Sequence, residues 1–124
     1  MNTQITTEEA ISDGRGKLTK AFRELRKLGF FARQNFWCCQ GCGCEAVPEE
    51  AEKYVFYHKQ DTEDLRESGS VYLTWGGGNK VRTDREYTKI GNQIIRTLNE
   101  CGIPTIWDGS QNTRIMAVIP ANPV

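Results

Sequence analysis

Residues 83–102, TDREYTKIGNQIIRTLNECG, carry the clearest secondary-structure signal in the chain. Thr83 and Glu86 fit a capping box, in which the side chains of the first and fourth residues satisfy backbone groups at a helix start. Gly102 lies where helices commonly end. The stretch therefore predicts a helix over residues 84–101, and its apolar stripe at helical spacing comprises Tyr87, Ile90, Ile94, Leu98 and Cys101.

Strand-like runs lie on both sides of this helix. They are rich in aromatic and β-branched residues and are bounded by polar or glycine-rich segments. The Asp108-Gly109 pair is a hairpin signal that joins the last two runs. The predicted strands cover residues 30–37, 54–58, 71–75, 103–107 and 113–119.

A second helical pattern occupies residues 6–28, with Thr6 and Glu9 as its capping box. Gly14 and Gly16 disfavour a helix, so we expect the firm part to begin near Lys17. The segment between the second and third strands, KQDTEDLRESGS, is expected to be a polar turn, and residues 120–124 a loose tail.

This order of elements predicts a single α+β domain over residues 1–124. The order is helix, strand, cysteine turn, two strands, helix, two strands, with about five mostly antiparallel strands and two helices. The composition, 38% hydrophobic and 26% charged, is that of an ordinary globular protein. No apolar run approaches the roughly 18–20 residues that span a bilayer.

The formal net charge is zero, which favours neither nucleic acid nor membrane as a partner. The first residues, MNTQITTEEA, have neither the basic nor the apolar region of a secretory signal, so we expect a cytoplasmic protein. Thiols are kept reduced in that compartment. The five cysteines are therefore expected to be thiols or metal ligands before disulfides.

Four of those cysteines lie in residues 36–47, FWCCQGCGCEAV. Cys39 and Cys42, separated by two residues and followed by glycine, form a tight turn that can aim two thiolates at one ion. Zinc prefers four tetrahedral ligands. The expected ligand set is Cys39, Cys42 and His58, the only histidine, with Cys38 as the fourth ligand and Cys44 or water as alternatives. A zinc ion there requires the end of the first strand to meet the end of the second.

Two other interpretations of the cluster stay open. The thiols can simply pack at a strand end, or they can perform redox chemistry. A redox pair works best at a helix N-terminus, which lowers a thiol pKa, and the flanking Gly41, Gly43 and Pro48 disfavour a helix there. An enzyme is a further alternative, with Cys39 or Cys42 activated by His58 as a nucleophile.

Several other features have both a functional and a structural interpretation. His58 with Asp61 fits an acid–base pair. The GGGNK loop, residues 76–80, is expected to be a flexible turn rather than an anion site. Cys101 is expected in the core. The polar face of the first helix has two interpretations. It binds an acidic partner or nucleic acid, or it is a solvated surface, and we favour the solvated surface. The cations on this face are Arg15, Lys17, Lys20, Arg23, Arg26 and Lys27.

The tryptophans Trp37, Trp75 and Trp107 are expected to form one aromatic cluster in the core.

The runs ARQNFWCCQGCG, YVFYHKQD, VYLTWG and IWDGSQNTRI resemble a family of small bacterial proteins known only as a domain of unknown function. The resemblance spans roughly residues 20–120 and implies a site without naming its chemistry. Cys44 lies outside the pattern. The positions that the resemblance assigns to the pattern are Cys38, Cys39, Cys42, His58, Gln60, Asp61, Trp107, Asp108 and Gly109.

These observations lead to one expected function and one alternative. We expect a small cytosolic module that binds another protein, with a structural zinc at the cysteine turn. The alternative is an enzyme that uses the cysteine and histidine cluster.

Overall fold

The computed structural model describes residues 7–37, 40–78, 83–110 and 113–119. The described residues form helices and one mixed, mostly antiparallel sheet, which confirms the predicted α+β class. The helices are α1 (Thr7–Lys27), α2 (Gln40–Ala46), α3 (Lys59–Ser68) and α4 (Asp84–Glu100). The strands are β1 (Phe31–Arg33), β2 (Lys53–Phe56), β3 (Ser70–Gly77), β4 (Thr105–Ile106) and β5 (Ile115–Val118).

The five strands form one mixed sheet in the order β1-β2-β3-β5-β4. Only β1 and β2 pair in parallel, so the predicted mostly antiparallel sheet is confirmed. Alternate residues of a strand point to opposite faces of a sheet. The covered face carries buried residues such as Ala32, Val55, Leu73 and Ile115, whereas the second face carries Phe31, Tyr54, Phe56, Tyr72, Met116 and Ile106.

Helices α1 and α4 contribute the apolar stripes that pack on the covered face. In α1 the buried residues Leu18, Ala21, Phe22 and Leu25 follow the i, i+3, i+4, i+7 pattern of one helix face. In α4 the buried stripe includes Ile90, Ile94 and Leu98, as predicted. None of the described helices is long and apolar enough to cross a membrane.

The start of α4 also agrees with the sequence. The Thr83 hydroxyl accepts a hydrogen bond from the Glu86 backbone N–H at 3.2 Å and donates one to the Glu86 carboxylate at 3.0 Å. At the other end, Cys101 is the C-cap residue, half-buried against the core. Burial raises the pKa of its thiol, as expected of a cysteine that packs rather than reacts.

The described residues form four helices where the sequence predicted two, because two segments expected to be turns are helical. Helix α3 replaces the polar turn: His58 caps its start, and Gly69, with a φ of +77°, caps its end. Helix α2 replaces the cysteine turn. Helix α1 is continuous from Thr7, so the predicted weak start before Lys17 is wrong.

The predicted strand bounds also change. The strand expected over residues 30–37 ends at Arg33, because Asn35 and Trp37 have φ values of +51° and +63° and leave the extended conformation. Predicted strand 54–58 becomes Lys53–Phe56, 71–75 becomes Ser70–Gly77, 103–107 shortens to Thr105–Ile106, and 113–119 shortens to Ile115–Val118. The helices predicted over 6–28 and 84–101 each end one residue earlier, at Lys27 and Glu100. Thr6 and the tail at 120–124 lie outside the described residues.

Candidate functional site

The ends of β1 and β2 meet. The Phe36 N–H donates to the Tyr57 carbonyl at 2.8 Å, and the Lys59 N–H donates to the Trp37 carbonyl at 3.0 Å. The chain that leaves β1 therefore runs beside the chain that leaves β2. This is the meeting of strand ends that the expected zinc site required, and it brings Trp37 next to Lys59.

Trp37 has an unusual combination of backbone and exposure at this meeting point. Its φ of +63° lies in the left-handed region. For a residue with a Cβ that region costs about 1–2 kcal/mol. The residue is also 57% exposed, so burial of the indole compensates only part of this cost. Strained residues of this kind cluster at functional sites.

Trp37 belongs to a group of side chains that we call the aromatic patch: Phe31, Arg33, Phe36 and Trp37. Phe36 is its centre, with ring centroids 5.5 Å from Phe31 and 6.4 Å from Trp37. The Arg33 guanidinium lies 4.3 Å above the Phe31 ring. Phe36 also contacts buried Phe56 at 5.4 Å, which anchors the patch to the second face of the sheet.

His58 is buried, with 5% of its surface exposed, and it forms the N-cap of α3. The His58 Nδ1 accepts a hydrogen bond from the Asp61 backbone N–H at 3.4 Å, and the His58 backbone N–H donates to the Asp61 carboxylate at 3.2 Å. Its Nε2 lies 3.1 Å from the same carboxylate. Both imidazole nitrogens thus face Asp61, and a metal ion on His58 would displace one of these contacts.

Asp61 also pairs with Arg114, which precedes β5. The Arg114 Nη2 donates to the Asp61 carboxylate at 2.5 Å and to the Tyr72 carbonyl at 2.8 Å. The Arg114 guanidinium lies 5.4 Å from the centre of the Tyr72 ring, while its Nε is buried without a hydrogen-bond partner among the described residues. We call His58, Asp61 and Arg114 the buried polar cluster. Its contacts join α3, β3 and β5, as expected of a group that positions structural elements.

Sequence reasoning found His58 and Asp61 but missed Arg114. The arginine lies 53 residues from Asp61, and no local motif marks it. The predicted acid–base pair, His58 and Asp61, is therefore in contact. The Asp61 carboxylate also accepts hydrogen bonds from the His58 backbone N–H and from Arg114. A carboxylate held this way is better suited to orienting its neighbours than to moving protons.

Helix α2 presents Cys42 and Cys44 to solvent, and the Gly43 backbone lies against the Phe56 ring of β2. A Cβ on Gly43 would lie 2.5 Å from the Phe56 ring, so only glycine permits this close approach. Burial of the Cys44 thiol raises its pKa, an effect that the nearby Arg114 charge and the Tyr54 hydrogen bond only partly oppose. A protonated thiol is a poor nucleophile and a poor metal ligand.

The predicted metal ligands are only partly described. Cys38 and Cys39 lie outside the described residues, while Cys42 is exposed on α2 and His58 is buried beside Asp61. Within residues 40–78 and the other described ranges, no three His, Cys, Asp or Glu side chains are grouped to hold a metal ion. Zinc on Cys39, Cys42, His58 and Cys38 therefore stays a prediction.

The predicted tryptophan cluster forms in part. Trp75 and Trp107 pack edge to face with ring centroids 5.5 Å apart, and Gly91 of α4 lets the Trp107 ring lie against the helix. Trp37 contacts Phe36 instead. In the GGGNK loop, the Gly78 N–H donates to the Glu52 carbonyl at 2.8 Å, and residues 79–80 lie outside the described ranges.

Comparison with known proteins gives one match. A family model described as Domain of unknown function (DUF6891) matches residues 11–120, nearly the whole chain. No curated protein and no solved structure matches the chain.

Proposed function

The chain belongs to the family Domain of unknown function (DUF6891), and we propose that it is a protein-binding module whose partner docks on the aromatic patch. The observation that carries this proposal is Trp37, a large aromatic residue that is 57% exposed in a left-handed backbone conformation. Such a conformation is costly for tryptophan, and binding of a partner to the projecting indole would explain why the fold holds it.

The composition of the aromatic patch supports a protein partner. Tryptophan and arginine are enriched among the few residues that dominate binding energies at protein interfaces. Trp37 projects beyond Phe36, and Arg33 stacks on Phe31 at the margin. A projecting indole fits a concave apolar pocket, so the partner is expected to supply the pocket.

Hydrogen bonds from side chains to the free edge of β1 argue against a partner that adds a strand to the sheet. An exposed strand edge is a ready template for another strand. Here the Ala32 carbonyl accepts hydrogen bonds from Arg26 at 3.1 Å and from Arg33 at 2.9 Å. Because side chains already occupy this carbonyl, contact through the side chains of the aromatic patch is favoured over strand addition.

A structural zinc ion would assist this function. Cys38 follows Trp37 directly in the chain, and Trp37 is bonded through its carbonyl to Lys59, next to His58. Zinc on Cys38, Cys39, Cys42 and His58 would hold the indole in its projecting position and reduce the entropy lost on binding. The ion would have a purely structural role.

A thiol enzyme is the second candidate, favoured by the contact between His58 and Asp61. One observation supports binding over catalysis: the Asp61 carboxylate, which would have to orient His58, is taken up by Arg114. Metal content and thiol alkylation separate the candidates: a metal-free protein with one rapidly alkylated cysteine supports the enzyme.

The test of the binding proposal uses a photo-crosslinking amino acid at position 37 in cells of the native host. Ile106 is the matched control, because its side chain is 62% exposed, close to the exposure of Trp37, and lies at the far edge of the sheet. The protein captured at position 37 is then purified and titrated with each variant. Trp37→Ala should weaken binding by about 30-fold, the effect of a 2 kcal/mol hot spot, and Ile106→Ala by less than about twofold.

Two outcomes would overturn the proposal. Equal crosslinking at positions 37 and 106 would show that position 37 does not select a partner. Unchanged affinity of the purified partner for Trp37→Ala would show that the indole is not the anchor.

A further inference from the structure

Helix α4 carries a row of exposed, mostly cationic residues on the side that faces away from the core. We call Arg85, Lys89, Asn92 and Arg96 the α4 stripe; all four are exposed. At 3.6 residues per turn they lie within about 60° of one another around the helix axis, over a length of about 16 Å. None of the three cations forms an ion pair with another residue in the described part of the chain.

A groove of about 880 Å³ runs along this row, and its described lining is rich in hydrogen-bond donors. Gln93 lines it as well and accepts a hydrogen bond from the Lys53 ammonium at 3.1 Å. Glu86 is the one carboxylate among the described lining residues, and it accepts a hydrogen bond from Thr83. The groove therefore presents unpaired positive charge.

Lys53 adds a fourth cation beside this surface, where its ammonium bonds Gln93 and lies 4.5 Å from the centre of the Phe30 ring. Burial lowers the pKa of the Lys53 ammonium, the Glu52 charge opposes this effect, and the Lys89 charge lowers the pKa further. The effect of Lys89 indicates that the two ammonium groups lie near each other. Like charges held close together repel, and a carboxylate placed between them would relieve the repulsion.

We propose that the α4 stripe is a second docking surface, whose partner is an acidic helix of another protein. Carboxylates at positions i, i+4 and i+11 of a helix repeat the axial spacing of Arg85, Lys89 and Arg96, so two helices lying side by side pair these charges in register. This surface is independent of the aromatic patch, and either proposal can fail alone.

Single-stranded nucleic acid is the competing ligand for such a row of cations. Sites of that kind combine positive charge with aromatic side chains on which bases stack. The one aromatic residue on α4, Tyr87, packs against the core instead of lying on the stripe. The chain also has no net charge, so an acidic helix is the better match.

The test uses a labelled, alanine-rich helical peptide with four glutamates at positions i, i+4, i+7 and i+11. A control peptide of the same composition distributes its glutamates around the helix. Fluorescence anisotropy at low ionic strength, where surface charges are least screened, measures both. The striped peptide should bind, and the control peptide should bind about fivefold more weakly or worse.

Matched double variants locate the contact. Lys89→Glu/Arg96→Glu should weaken binding of the striped peptide by about tenfold or more, and Lys27→Glu/Lys59→Glu, which changes the net charge equally, by less than about twofold. All four positions are exposed, and the thermal midpoint of each variant checks its folding. Lys89→Gln/Arg96→Gln, which removes charge without adding repulsion, should weaken binding by an intermediate factor.

Three results would overturn the proposal. Equal binding of the two peptides would mean that only bulk charge matters. Absence of binding by both peptides at low ionic strength would mean that the surface does not select acidic helices. Tighter binding of a single-stranded oligonucleotide than of the striped peptide, with the same sensitivity to the variants, would assign the surface to nucleic acid.

Discussion

The left-handed conformation of Trp37 predicts an inverted order of stability for two substitutions. Trp37→Ala and Trp37→Gly remove the same ring and lose the same contact with Phe36. Alanine keeps a Cβ and with it the cost of a φ of +63°, whereas glycine adopts this φ freely. Trp37→Gly should therefore be more stable than Trp37→Ala by about 1 kcal/mol, although glycine is normally the less stable of the two.

Urea unfolding of both variants measures this difference, and the thermal midpoints should differ by about 3–5 °C for a domain of this size. Arg23 provides the control, because it is exposed in the interior of α1. There Arg23→Gly should be less stable than Arg23→Ala by about 1 kcal/mol. If Trp37→Gly is no more stable than Trp37→Ala, the strain assigned to Trp37 is absent and the main support for the binding proposal is lost.

Three further predictions concern the core, helix α2 and the metal. Ile94 is fully buried, so Ile94→Asp buries a charge and should cost more than about 3 kcal/mol of unfolding free energy. Gln93 is half-buried at the helix margin, so Gln93→Asp should cost less than about 1 kcal/mol. Equal losses in urea unfolding would contradict the assigned helix face. Gly43→Ala should destabilise by about 1–3 kcal/mol through overpacking, whereas Gly41→Ala, with open space around it, should stabilise by about 0.5–1 kcal/mol; the opposite order in thermal melts would mean that α2 does not pack as described. Purified protein should hold about one zinc ion per chain, and a chelator should lower its thermal midpoint; a midpoint unmoved by chelator refutes the metal, and zinc retained by His58→Ala refutes that ligand.

Hydrophobic periodicity was sufficient for the elements that build the core. The stripes of α1 and α4 and the five strands could be predicted because their buried faces are apolar. Helix α3 could not, because its buried face is largely polar. Asp61 and Thr62 are buried along with Leu65, and a pattern search interprets such a segment as a solvated turn.

Helix α2 and the site depend on contacts that are remote in sequence. Gly41 and Gly43 lower the helical propensity of α2, and the segment is helical because it packs on β2. Arg114 reaches Asp61 only through the fold. The meeting of the strand ends was predicted as a requirement of the expected zinc site, because strand order could not be read from the sequence, and the sign of φ at Trp37 is set by tertiary structure.

The position of β5 has a consequence for how the chain folds during synthesis. This strand is the last of the five described strands in chain order, yet it lies between β3 and β4 in the sheet. Until it emerges from the ribosome, β4 has no neighbour among the described strands and β3 has one unpaired edge. Arg114 also arrives only then, so the charge on buried Asp61 lacks its cation until that point. We therefore expect the sheet to stay incomplete until residues 114–118 have been synthesised, and to depend on protection of the β3 edge until β5 inserts.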